Sequence, residues 1–152
     1  MNVVYQAGSV HHADDGGHGW RNRLRDEFPN VIWVNPLDKY DGNANDVVVQ
    51  RQHQTGELYG GDDIEIVSSA EIVENDKEFV DESDAVLVGW SPSVPACGTP
   101  MEVLYAWEQD TPVVAWIQED VSFTEVSPWL DYHADYMTTT ADEAVEYIET
   151  NV

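Results

Sequence analysis

The sequence predicts an α/β fold: one doubly wound, five-stranded parallel sheet in the order 2-1-3-4-5, within a single domain spanning 1–152. Three observations carry this. Short apolar runs alternate along the chain with segments of helical periodicity, the pattern of a parallel sheet with helices on both faces. The length of 152 residues suits one ordinary core. No internal repeat or low-complexity tract interrupts the alternation.

The elements follow in order. Residues 2–7 read as a buried strand ending at Gly8-Ser9, and 11–19 as a polar, glycine-rich loop. Over 20–28, Trp20, Leu24 and Phe28 recur at i, i+4 and i+8, which predicts a helix. Residues 31–34 form a second short strand, closed by Asn35-Pro36. Residues 37–62 are rich in Asp, Gly and Asn; a connection this long predicts an irregular insertion or functional flap. Ser68-Ser69-Ala70-Glu71 is a capping box opening a helix to about Glu82. Residues 85–90 are the third strand, and Thr99-Pro100-Met101-Glu102 opens a helix to about Gln109. Residues 112–117 and 136–138 complete the strands, and 141–148 the helices. In such sheets ligands bind at the carboxyl ends of strands where the strand order reverses. Strands 1 and 3 flank that point, so Gly8-Ser9 onward and residues 90–102 are the segments to inspect.

Composition narrows the partners. Lys and Arg number 6 against 30 Asp and Glu, a formal charge of −24. That excludes binding to a nucleic-acid backbone and disfavours docking on anionic lipid. Hydrophobic residues at 42% and aromatics at 11% argue against intrinsic disorder. The single cysteine, Cys97, excludes an internal disulfide. No apolar run approaches the roughly 20 residues of a membrane span, and Met1-Asn2-Val3-Val4-Tyr5 lacks the form of a signal peptide. A soluble cytoplasmic protein is expected. Many carboxylates with two lysines resemble the proteins of salt-in halophiles. Molar salt shortens the Debye length from about 10 Å to roughly 3 Å and screens the self-repulsion, so a high-salt cytoplasm is expected.

Two carboxylates stand out. Glu102 lies three residues after Thr99, a plausible N-cap, with Pro100 between them. The pattern has a purely structural reading as a capping box, and Thr140-Ala141-Asp142-Glu143 repeats it. It also has a functional reading, since a carboxylate at this helix start faces the positive end of a dipole, which favours the ionised form of a nucleophile. Asp76 is i+4 from Ile72, i+3 from Val73, and three and four before Phe79 and Val80. It therefore interrupts an apolar stripe, where burial raises a carboxyl pKa. Either it is bonded to backbone groups or a neighbouring Arg, or it serves function. A stabilised Glu and a desolvated Asp, their pKa values pushed apart, suit a nucleophile and a proton donor.

The chain also resembles the nucleoside 2-deoxyribosyltransferase family, which includes the 2′-deoxynucleoside 5′-phosphate N-hydrolases. The resemblance lies in Tyr5-Gln6-Ala7-Gly8-Ser9, Trp20-Arg21, Asn75-Asp76, Ser83-Asp84 and 98–106, Gly-Thr-Pro-Met-Glu-Val-Leu-Tyr-Ala. It implies the doubly wound sheet and cleavage of the N-glycosidic bond of a 2′-deoxynucleoside or its 5′-monophosphate. By the same resemblance Glu102 is the nucleophile, Asp76 assists the leaving base, and Tyr5 lies beside the nucleophile. Gly8 and Ser9 match a 5′-phosphate-holding turn. Two positions depart: Ala96 stands where transferases tend to have Asp and hydrolases Ser, and His11 where hydrolases usually have Arg. Ser91, Ser93 and Thr99 are the candidate substitute hydroxyls. The resemblance implies no organic cofactor and no metal, a small nucleoside or nucleotide as partner, and a homo-oligomer with sites completed across subunits. A 5′-monophosphate N-hydrolase and a non-catalytic nucleotide sensor on the same scaffold are the alternatives. A nucleotide-phosphoribohydrolase, whose Gly-Thr-x-x-Glu turn is similar, is a related one.

The substrate-binding candidates are therefore Gly8, Ser9, His11, Trp90, Ser93, Gly98 and Thr99, with Trp90 placed to stack on a nucleobase. His11, His12, Asp14, Asp15 and His18 share one loop, but nothing in their spacing fixes a metal geometry. Cys97 is expected as a small apolar filler.

Overall fold

The computed structural model describes residues 1–9, 15, 17–39, 47–56, 65–119 and 122–152. Five strands form one parallel sheet in the order β2-β1-β5-β6-β7. They are β1 (Val3–Gly8), β2 (Ile32–Val34), β5 (Ala85–Trp90), β6 (Val113–Ile117) and β7 (Tyr136–Thr138). The expected order 2-1-3-4-5 is corrected, because the described chain has seven strands. β3 (Val48–Gln50) and β4 (Ile66–Ser68) intervene and pair with each other in a separate two-stranded parallel sheet. The order still reverses at β1, which lies between β2 and β5.

The described α-helices are α1 (His18–Glu27), α2 (Ser69–Asp81), α3 (Thr99–Glu108), α4 (Pro128–His133) and α5 (Ala141–Asn151), with short 3₁₀ turns at Pro36–Lys39 and Phe123–Glu125. Successive strand residues face opposite sides, and two cores result. Tyr5, Val86, Val88 and Val113 pack with Val80 of α2, Val103 and Ala106 of α3, and Leu130 of α4. Val4, Ala85, Leu87 and Val114 pack with Trp20 and Leu24 of α1 and with Ala144, Val145 and Ile148 of α5. Tyr5 thus projects to the side of the sheet that carries α2 and α3. Asp84 fixes the register of β1 beside β5: its carboxylate accepts from the Val3 N–H at 2.8 Å, and its own N–H donates to the Val3 carbonyl at 2.7 Å.

Three expectations change. The 37–62 segment is not wholly irregular: a 3₁₀ turn, Pro36–Lys39, opens it, and β3 lies within it. Within it Val48 and Val49 pair with Ile66 and Val67. Helix α4 is unforeseen; Ser127 caps it, accepting from the Trp129 N–H at 3.3 Å, with Pro128 in its first turn. α1 starts at His18 rather than Trp20, and the Asp15 carboxylate accepts from the N–H groups of Gly17 and Gly19, both at 2.9 Å. Among the described residues no helix is long and apolar enough to cross a membrane.

Candidate active site

At the carboxyl ends of β1 and β5 a cleft of about 190 Å³ opens between the sheet, α2, α3 and the turn after β2. Glu102 and Asp76 both line it, with Tyr5 at its floor. The Tyr5 side chain is fully buried, and its hydroxyl donates to Glu102 Oε2. Asp76 Oδ1 accepts from Lys39 Nζ at 2.5 Å.

Glu102 owes its position to the way α3 begins. Thr99 is not the N-cap. Gly98 holds that position, without a side-chain cap bond, and Thr99 is already helical and buried. Glu102 therefore sits in the fourth helical position, and its carboxylate turns into the cleft instead of closing a capping box. Asp76 lies on the cleft side of α2, one turn after Ile72, which also lines the cleft. Val73 is half exposed, so the apolar stripe is narrower than the sequence suggests.

Burial dominates the electrostatics. It raises the Glu102 pKa to about 7, opposed chiefly by the hydrogen bond from Tyr5, with the Asp76 charge raising it further. The expected dipole-stabilised, readily ionised Glu102 is thus corrected. Burial also raises Asp76, against the pull of the Lys39 hydrogen bond and charge. Tyr5 is raised well above the ordinary phenol range, by burial first and then by the Glu102 and Asp76 charges.

Arg21 builds the wall beside Gly8 and Ser9. It is 1% exposed, its guanidinium lies 4.5 Å from the Trp20 ring centroid, and its described hydrogen-bond acceptors are backbone carbonyls. Nη2 donates to Gly8 O at 2.9 Å, Nη1 to Gly17 O at 2.8 Å and Ser9 O at 3.4 Å, and Nε to Gln6 O at 3.3 Å. Burial lowers its pKa to about 10. Gly17 has φ +84°, and a Cβ there would stand 2.4 Å from Arg21 Nη1 and 2.5 Å from Ser9 O, so only glycine fits. Ser9 Oγ donates to Pro95 O at 2.6 Å and ties the loops after β1 and β5 together.

The cleft brings together most of the sequence candidates: Tyr5, Gly8, Ser9, Asp76, Gly98, Thr99 and Glu102. His11, with His12 and Asp14, lies outside the described residues. Trp90 and Ser93 are corrected. Trp90 packs on the other flank of α3, in an apolar pocket with Met101, Leu104 and Trp129. Ser91 and Ser93 both donate to Glu119 Oε1, which turns their hydroxyls away. Cys97 is exposed at the cleft rim rather than buried as filler. Among the described residues no group of His, Cys, Asp and Glu has the arrangement of a metal site.

Sequence reading missed two cations. Arg21 lies three residues before Leu24 on the apolar face of α1, where a charge must find internal partners. Lys39 stands in an acidic stretch and reads there as surface.

No family model and no curated protein matches the chain. Among solved structures, a conserved protein from Enterococcus faecalis V583 matches with a TM-score of 0.61 at 14% identity, over 100% of this chain and 99% of that one. This likeness concerns the fold alone.

Proposed function

We propose that the protein cleaves the N-glycosidic bond of (2′-deoxy)nucleosides through a covalent glutamyl-sugar intermediate, and passes the sugar to a second base or to water. The observation that carries this reading is the pairing of Glu102 with Tyr5 across one cleft from the Asp76–Lys39 pair. Glu102 attacks the anomeric carbon while the bond to the base breaks and its electron pair departs with the base. Asp76 hydrogen-bonds or protonates the leaving nitrogen. The acceptor then attacks the same carbon and frees Glu102, the two-step logic of retaining glycosidases. Tyr5 orients the carboxylate.

An unphosphorylated nucleoside is favoured over the 5′-monophosphate. Arg21 is bonded to carbonyls, Lys39 to Asp76, and the Ser9 hydroxyl to Pro95. A phosphate dianion would have to displace these bonds and approach a strongly acidic surface.

Chromatography for free base, after incubation with a panel of nucleosides and 5′-monophosphates with and without an acceptor base, tests the reading. Base release from nucleosides supports it, and release from monophosphates alone favours the N-hydrolase.

Two further parts of the proposal concern the surface. The charge of −24 supports function in a high-salt cytoplasm. Melting temperature and activity should then be depressed at 0.1 M KCl and recover above about 1–2 M; a flat profile to 3 M overturns this. The exposed Met101, Trp107, Trp129 and Tyr132 on α3 and α4 support a homo-oligomer. Light scattering in 2 M KCl should report at least a dimer.

A further inference from the structure

We propose that Lys39 is a positioning residue that supplies, through Asp76, the proton the departing base carries away; the inference rests on the N-glycosidic reading above. The cleft holds two donor–carboxylate pairs of different chemistry. In one, a phenol orients Glu102. In the other, an ammonium bonds Asp76 Oδ1 at 2.5 Å, with side-chain exposures of only 14% for Lys39 and 21% for Asp76.

Lys39 is delivered by a fixed turn rather than by a free surface chain. Asn35 Oδ1 accepts from the Leu37 N–H at 2.9 Å, and the Asp38 N–H donates to Asn35 O at 3.1 Å. Asp38 in turn pairs with Arg25 of α1 at 2.6 Å. In general an ammonium can give up a proton, which a guanidinium does not.

The step balances without another reactant. As the C1′–N bond breaks, its electron pair goes to the base. The proton of the Lys39 ammonium passes to Asp76 Oδ1 and from the Asp76 carboxyl to the base nitrogen, so that Asp76 ends ionised as it began and Lys39 is left a neutral amine. In transfer, the incoming base loses its N–H proton along the same path, and the ammonium is restored. In hydrolysis the attacking water returns it.

Lys39→Arg keeps the charge and a hydrogen bond but cannot give up its proton; Lys39→Met loses both. Each is assayed on 2′-deoxyadenosine and on 7-methyl-2′-deoxyguanosine, whose cationic base leaves neutral and needs no proton. Both variants should lose about 100-fold or more in kcat on 2′-deoxyadenosine, the range of a lost acid catalyst. Both should stay near wild type on the methylated substrate. Equal losses on both substrates, or full kcat of Lys39→Arg on 2′-deoxyadenosine, overturn the proposal. If Lys39→Met fails to melt cooperatively, Lys39→Arg decides alone. Wild-type protein that releases base from neither substrate overturns the N-glycosidic reading itself, and this inference with it.

Discussion

Two helix starts carry the same pattern, Thr-x-x-Glu, and use it differently. At α5, Thr140 is the N-cap and accepts from the Glu143 N–H at 3.3 Å, while the Glu143 carboxylate accepts from Thr138. Every group there is occupied by local structure. At α3 the helix begins one residue earlier, on Gly98, and Thr99 is drawn inside. Glu102 loses its capping partner and meets Tyr5 of β1, 97 residues away in sequence. A carboxylate becomes available for chemistry where the fold removes the local bond that would otherwise hold it.

The comparison breaks most sharply at the two glutamates. Glu102→Gln should reduce base release by about 10³-fold or more, as loss of a nucleophile does, whereas Glu143→Gln should leave kcat within about twofold. Equal effects in a chromatographic assay would remove the distinction. Asp76→Asn should follow, with kcat lower by about 10²-fold on poor leaving bases and less on good ones; an unchanged dependence on the leaving base would make Asp76 structural.

Protonation gives a third test. With Glu102 raised to about 7, kcat/KM should rise with pH through that value. Between the unfolded carboxyl pKa and about 7 the folded state holds a proton that the unfolded chain has lost. Stability therefore falls as pH rises across this window, by at most about 3–4 kcal/mol from this group. Urea titrations of Glu102→Gln should show a shallower fall than wild type, and parallel curves would refute the buried-acid assignment. The smallest effect belongs to the other helix: Thr140→Ala should cost about 1 kcal/mol in the same titrations and leave kcat unchanged.

Much of the fold is legible because β1, β5 and β6 are apolar runs with turn residues at their ends, and α2 and α5 carry capping patterns that the structure realises. β3 and β4 are no shorter than β2 and β7, but they border a stretch rich in Asp, Gly and Asn, whose turn composition hides two short apolar runs. α4 is six residues long and shows itself only in its Ser-Pro start. In the cleft, Asp76 is legible because it interrupts an apolar stripe, and Glu102 because it stands at a helix start beside the point where the strand order reverses; Tyr5 has no such local signal. Trp90 is not, because α3 lies between it and Glu102: strand position gives the face of the sheet, not the flank of the helix packed upon it. Lys39 is invisible for a different reason. Its partner is 37 residues away, and a lysine among aspartates has no local signature of burial.

The Arg21 brace has a consequence for how the cleft assembles. Its described bonds, and the one Gln6 Nε2 returns to Arg21 O at 3.1 Å, span 4 to 15 residues. The contact that brings Glu102 to Tyr5 spans 97. Closing the longer loop costs about 1.6 kcal/mol more chain entropy than closing 15 residues. The β1–α1 wall can therefore order itself on its own local contacts, while Glu102 arrives only with the third strand of the main sheet. A chain loosened at α3 would keep an intact wall with no carboxylate of Glu102 opposite it.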